Sequence, residues 1–352
     1  MMSIGLVGLP NVGKSSFFNL LTKACAKVDI YPFTTIEKNV AVVTVPDARL
    51  EKIKEIIKPA KTTYATIEVI DIAGLVRGAH DGAGLGNKFL SFIREVDLIL
   101  HVVRNFEESC VPHIYETVDP LRDVEIVEAE LALADLEIVK RAIEKLSKHQ
   151  KSIDDQCKLE LLKKIEETIS RGVFSIELST AEQELLKDLN LFITKPTIYV
   201  FNCSDKTNVN LEIPEKLSAS PVFFVSVALE NNLNGFSNED KIAIRESLGL
   251  FPKGPEGIIE ECFNQLHLIR FYTIKGEESR AWAIPQHTNI IEAVRKIHSD
   301  MAEGFIKAEV LPFDYLQKCG SFGKAKELGF VRIEGKNYVV QDGDIILVKF
   351  TV

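Results

Sequence analysis

The chain has 352 residues, too many for one small core and enough for two or three domains, and its 46% apolar and 26% charged content is that of an ordinary globular protein. A formal net charge of -9 excludes a protein that coats nucleic acid by bulk electrostatics, because phosphate contacts need a basic face. The charge is uneven: twelve Lys+Arg against eleven Asp+Glu from Leu266 to Val352 leave that stretch at +1 and the remainder at -10, so any contact with RNA has to come from a local patch.

Six scattered cysteines with no C-x-x-C pair suit neither a zinc site nor a disulfide framework, and a reducing cytoplasm is the expected setting. No apolar run approaches the ~20 residues of a membrane span. The opening residues MMSIGLVGLP lack the basic start of a secretory leader.

In chain order, Ile4 to Val7 reads as a first strand, followed by the stretch GLPNVGKSSF from Gly8 to Phe17. SSFFNLLTKA then places Phe17, Leu20, Leu21 and Ala24 at helical spacing, and ATIEVIDIAG and VDLILHVV read as buried strands. Short β-branched runs alternating with helical patterns predict an α/β fold with a mostly parallel sheet wrapped by helices.

Between Pro120 and Pro196 there is no further proline and only Gly172 among glycines. Leu136, Val139, Ile143 and Leu146, and then Leu162, Ile165 and Ile169, repeat at three- and four-residue spacing, which predicts two long helices folded back as an antiparallel coiled-coil insertion; surface helices of the main domain are the alternative. TIYVFNC and PVFFVSVAL resume the strand pattern. After LFPKGPEG come LIRFYTIK, a helix at NIIEAVRKIHSDMAEGF, and YVVQDGDIILVKF, where Asp342-Gly343 signals a tight turn between two strands and the whole suggests a small β-grasp domain. The expected boundaries are 1–122 and 195–262 for the nucleotide-binding domain, 123–194 for the helical arm and 266–352 for the last domain.

The spacing Gly8, Gly13, Lys14, Ser15 between a strand and a helix is that of a P-loop. Its amides, from Asn11, Val12, Gly13, Lys14, Ser15 and Ser16, would cradle phosphate, Lys14 would meet the β/γ oxygens and the Ser15 hydroxyl would ligate Mg2+. Asp71-x-x-Gly74 at the end of a strand supplies a carboxylate to hold the ion through water and an amide for a γ-phosphate, and Thr35 in YPFTTIEKN is placed to close over the metal. Asn202-x-x-Asp205, with Cys203 inside it, and Ser226 follow later strands, where a switch-type NTPase reads its base. A strand ending in Asp, or a lone Ser after a strand, is by itself more often capping; five such pieces in order are a site.

With these residues in view, the chain resembles the YchF subfamily of the Obg-type, translation-factor class of P-loop GTPases. GLPNVGKSSFFNLLTK, YPFTTIEKN, DIAGLVRGAHDGAGLGNKFLSFIREVD, VDPLRDVEIVEAELALADLE, EGFIKAEV and YVVQDGDIILVKF carry the likeness almost end to end. The resemblance implies a nucleotide domain with a helical insertion and a C-terminal TGS domain. It also implies association with the ribosome or its large subunit, and a preference for ATP. Neither a membrane nor DNA is expected as a partner.

Base choice stays open between ATP and GTP. A carboxylate accepts from the two adjacent N–H donors of guanine and is repelled by the ring nitrogen adenine presents there. Cys203 stands where guanine readers carry a stacking lysine, whereas Asp205 departs from the Glu that the resemblance leads one to expect. Leu75 occupies the position of the water-orienting Gln of Ras-like enzymes, so intrinsic hydrolysis should be slow. The resemblance points to His80 as a substitute catalytic group, a solvated loop histidine being the alternative. A nucleotide-dependent scaffold without purposeful turnover is the second functional reading, and a small-molecule kinase is disfavoured by Asn202-x-x-Asp205 and the arm.

Overall fold

In the computed structural model, which describes all residues except 1, 26–29, 32–37, 73–84, 149–151, 175, 207–208, 210–211, 234 and 352, the order is β1 (Ser3–Val7), α1 (Lys14–Ala24), β2 (Ile30–Tyr31), β3 (Lys38–Thr44), α2 (Ala48–Ile57), β4 (Lys61–Thr63), β5 (Thr66–Ile72), α3 (Leu85–Glu95) and β6 (Leu98–Asn105). Then come α4 (Pro120–Ser147), α5 (Ile153–Ser170), α6 (Thr180–Leu186), β7 (Thr197–Cys203), β8 (Val222–Val225), α7 (Val227–Asn232), α8 (Asn238–Ser247) and α9 (Gly254–Gln265). The chain ends with β9 (Leu268–Lys275), β10 (Glu278–Pro285), α10 (Ile290–Ile297), α11 (Ser299–Glu303), β11 (Phe305–Pro312), α12 (Phe313–Cys319), α13 (Phe322–Glu327), β12 (Arg332–Glu334) and β13 (Asp344–Phe350).

Two compact units result. The first comprises Met1–Ala24, Asp29–Ala41 and Glu68–Ile258, the second Cys25–Val28, Val42–Ile67 and Ile259–Val352. This differs from the expected boundaries: 123–194 does not separate from the first unit, 259–262 fall in the second, and residues 42–67 belong with the C-terminal unit because their apolar side chains Leu50, Ile53 and Ala65 join a core with Tyr272, Ala281, Leu311 and Ile345.

The first unit is built on a sheet of order β2-β3-β5-β1-β6-β7-β8, with β1, β5, β6, β7 and β8 paired in parallel and β2 antiparallel to β3. Its central strands are mostly apolar, as strands covered on both faces are; β1 is buried at all five positions. PVFFVSVAL is corrected here: the strand stops at Val225, and Ser226 caps α7 by accepting from the Leu229 N–H.

Helix α4 starts where Asp119 accepts from the Arg122 N–H and Pro120 fills the first turn, and α5 starts at a reciprocal Ser152/Asp155 capping box. The two pack together through Val139, Leu162, Ile165 and Ile169, with Leu136, Ile143 and Leu146 partly buried against them. These are the side chains whose spacing defined the helices in the sequence. Arg94 from α3 anchors α4: it donates to Asp135 at 2.8 Å and to the Ala134 carbonyl at 2.9 Å, and stacks over Phe192 at 4.1 Å.

The second unit carries a mixed six-stranded sheet, β12-β11-β13-β9-β10-β4. Helix α10 covers one face through Ile290, Ala293 and Val294, and α2, α12 and α13 cover the other through Leu50, Leu316 and Ala325. Asp47 caps α2 and also accepts from the Tyr272 hydroxyl at 2.9 Å, while Arg49 forms a two-pronged pair with Asp342 at 2.8 and 3.0 Å. Two expectations are corrected. Asp342-Gly343 does not join a hairpin, since Val339 makes a single bridge to Asn289 and β13 pairs with β11 and β9. The single helix after Asn289 is two, because His298 adopts extended geometry at φ -164° and ψ 140° and caps α11. Among the described residues no helix is long and apolar enough to cross a membrane.

Candidate functional site

The loop between β1 and α1 has the shape its residues require. Gly8 has φ +152° and a Cβ there would lie 2.3 Å from the Val102 carbonyl oxygen; at Gly13, φ is +96° and a Cβ would lie 2.5 Å from Asn202 Nδ2. Only glycine fits positions that combine that backbone with that crowding. Asn11, whose type tolerates the left-handed region, sits at φ 64° and donates from Nδ2 to the Pro112 carbonyl at 3.2 Å.

Lys14 is 7% exposed and its ammonium donates to the Gly8 and Leu9 carbonyls at 2.9 and 2.8 Å. Burial pulls it down to about 8, with the Asp71 carboxylate opposing the shift. His101 pairs with Val7 between β1 and β6 and is 3% exposed; burial and then Lys14 depress it to about 3, so the imidazole beneath the loop is neutral. The Ser15 hydroxyl donates to Asp71 Oδ2 at 2.8 Å, which sets two hard oxygen donors side by side at the end of β5.

Asn202 closes the site from β7. Its Nδ2 donates to the Val12 carbonyl at 3.0 Å and its Oδ1 accepts from the Val227 N–H at 3.2 Å, so one side chain ties the phosphate loop to the start of α7. Cys203 Sγ accepts from Asn105 Nδ2 at 3.4 Å and donates to the Phe201 carbonyl at 3.2 Å, and burial pushes its thiol up to about 11.

Asn11, Gly13, Lys14, Ser15, Ser16, Asn202, Cys203 and Asp205 all line one open cavity of about 540 Å³. Val12 lies behind the lining at 1% exposure and contributes its carbonyl to Asn202. Ser226, fully buried, stands below the lining as the α7 cap, and Val227, Ala228 and Asn231 of that helix face the cavity instead. Thr35, Gly74, Leu75 and His80 lie outside the described residues. The sequence reading missed Phe106 and the acidic pair Glu107–Glu108, which also line the cavity, with the Arg104 guanidinium 4.5 Å over the Phe106 ring. Only the parallel pairing of β6 with β7, which brings Asn105 opposite Cys203, could have indicated them.

Comparison with known proteins points the same way. A family model described as a 50S ribosome-binding GTPase matches residues 3–202, and the YchF-GTPase C-terminal model, described as a protein of unknown function, matches residues 268–351. The chain is similar to the ribosome-binding ATPase YchF of Bacillus subtilis, 40% identical over 364 residues and covering 100% of both chains, and to that of Pasteurella multocida, 42% identical over 360 residues and 99% of each. The solved YchF GTPase of Schizosaccharomyces pombe superposes with a TM-score of 0.83 at 32% identity, covering 99% of this chain and 97% of that one. A P-loop at the end of β1 tied to Asn202 of β7 in a mostly parallel sheet, together with full-length similarity at this level, establishes that the chain belongs to the YchF family of P-loop nucleotide hydrolases.

Proposed function

We propose that the chain is a Mg2+-dependent P-loop ATPase that binds the ribosome and works as a nucleotide-controlled conformational switch. The observation that carries this reading is one cavity lined both by Gly13, Lys14 and Ser15, suited to phosphate, and by Asn202, Cys203 and Asp205, suited to a base. The relatives' names supply the ribosome as partner and ATP as substrate.

The donor set suits Mg2+, which takes oxygen ligands and keeps part of its shell for water and phosphate. Ser15 and Asp71 would hold it, with Thr35 as the third candidate, and when bound it would neutralise charge on the phosphate oxygens. Lys14 and the loop amides bind and orient the phosphates. Turnover adds water to the γ-phosphorus as the bond to the β–γ bridging oxygen breaks, giving the nucleoside diphosphate and phosphate. His80 is the candidate to orient that water, and loss of γ-phosphate contacts at Thr35 and Gly74 would relax both loops. The arm over 123–194 and a TGS domain over 266–352 would provide the docking parts, in a cytoplasmic protein.

For the base, Phe106 offers an aromatic wall where Cys203 replaces the stacking lysine of guanine readers. One observation favours GTP as second substrate: the Asp205 carboxylate lines the same cavity and accepts well from guanine. Calorimetry of ATP, ADP, GTP and GDP on the intact chain separates the two readings. Tighter ATP binding abolished by Lys14→Ala is expected; nucleotide retained by that variant as firmly as by the parent overturns the assignment. His80→Ala should slow single-turnover hydrolysis and leave affinity unchanged, and ribosomes should stimulate turnover, whereas indifference to them would favour a scaffold.

A further inference from the structure

We infer that Arg104 is the positioning residue of the nucleotide cavity's aromatic wall: from behind the lining it fixes the Phe106 ring and the turn that follows, and so sets affinity for a purine without touching it. The inference deepens the nucleotide-binding reading and rests on it for the ligand.

The placement of Arg104 is costly for the fold. It is the penultimate residue of β6 and only 2% exposed. Its guanidinium meets carbonyls where a buried cation is best served by a carboxylate: Nε donates to the Phe106 carbonyl at 3.1 Å and Nη2 to the Val111 carbonyl at 2.9 Å, while Nη1 has no partner among the described residues. An aliphatic side chain would fill a buried strand end without that cost. A role in the strand's own packing therefore does not account for it.

What the guanidinium secures is the geometry of the next six residues. Its two acceptors are the two ends of the stretch 106–111, and between them Glu107 to Cys110 are exposed, so the fork pins both ends of a turn that the core does not hold in its middle. The turn closes on itself through the Val111 N–H and the Glu108 carbonyl at 3.1 Å. The guanidinium also lies over the Phe106 ring at 4.5 Å, near enough to hold the ring by its face. Phe106, Glu107, Glu108 and Val111 all line the cavity that Lys14 and Asp205 line. Asn11 of the phosphate loop donates to the next carbonyl, Pro112, so the turn is tied to that loop as well.

Strand register completes the arrangement. Arg104 stands opposite Asn202 in the parallel pairing of β6 with β7, and the Asn202 amide holds the Val12 carbonyl. One pair of facing residues thus sets the phosphate loop from β7 and the aromatic wall from β6. A ring already held in place stacks on a base without being ordered at the moment of binding, which is how a residue outside the contact raises affinity.

The test is steady-state ATP hydrolysis by the full chain and its Arg104→Lys, Phe106→Ala and double variants, with calorimetry of ATP on each. Lysine keeps the buried charge but loses the planar fork that reaches two carbonyls and a ring face together. Arg104→Lys should weaken ATP binding and raise KM about fivefold or more, the worth of one base on one ring, and leave kcat within about twofold, because the contact is the same in the ground and transition states. Phe106→Ala should do the same. In the Phe106→Ala background, Arg104→Lys should change KM by less than about twofold, since its effect runs through the ring. Unchanged KM in Arg104→Lys, a fall in kcat as large as the rise in KM, or losses that multiply in the double variant overturns the inference. ATP binding abolished by Lys14→Ala but untouched by Arg104→Lys overturns this inference alone, whereas a parent that binds no ATP overturns the nucleotide reading with it.

Discussion

Asn202 and Val12 are joined across 190 residues of sequence by one hydrogen bond of 3.0 Å, and the same amide group holds the Val227 N–H. The side chain is 6% exposed, so its loss strands two buried backbone groups at once. Asn202→Ala is expected to cost about 1–3 kcal/mol in denaturant unfolding and to weaken nucleotide binding. Gly13→Ala drives a methyl into the same amide from a backbone that L-residues avoid, and should lower affinity about tenfold or more with a smaller effect on folding. Unchanged affinity in both would separate Asn202 from the site.

Burial of Lys14 gives a pH signature. Its folded value, about 8, lies below the ordinary 10.5. Between those values the unfolded chain holds a proton that the folded chain has lost, so this group makes stability rise with pH across that window. A phosphate oxygen favours the charged ammonium and raises its pKa. Nucleotide binding at about pH 8 should therefore take up about half a proton and at about pH 6.5 almost none. Calorimetry in buffers of different ionisation enthalpy measures this; equal uptake at both pH values assigns the proton elsewhere.

In the second unit, two carboxylates that hold α2, Asp47 at its cap and Asp342 beside Arg49, should differ sharply in worth. Asp47 is 7% exposed and serves two α2 amides and the Tyr272 hydroxyl. Asp47→Ala removes the cap and strands the Tyr272 hydroxyl, and should cost about 2–4 kcal/mol. The Arg49–Asp342 pair is 28% and 46% exposed, so Arg49→Ala should cost under about 1 kcal/mol. Equilibrium unfolding of the two variants ranks them, and equal losses would refute the distinction.

Asp135 is fully buried and accepts from Arg94 and from the Ile193 N–H at 2.9 Å. Removing it leaves a guanidinium without its counter-charge beside the middle of α4. Asp135→Ala is expected to cost about 3–5 kcal/mol, and Arg94→Ala/Asp135→Ala less than the sum of the single losses. Additive losses in a double-mutant cycle would mean the two do not act as a unit.

The sequence by itself determined what is local. Gly8, Gly13, Lys14 and Ser15 specify a loop because only glycine tolerates that backbone, and the three- and four-residue spacing from Leu136 to Leu146 specifies a helix face because side chains three and four apart share one side. Tertiary structure alone decided the rest. Lys61–Thr63 is too short to show a period, yet it becomes a sheet edge because β10 offers it an unpaired strand, and 42–67 joins the C-terminal unit with it. Phe106 enters the cavity, and Arg104 stands opposite Asn202, through strand register. Register is fixed by the sum of side-chain contacts over a whole sheet, a quantity no short stretch of sequence contains.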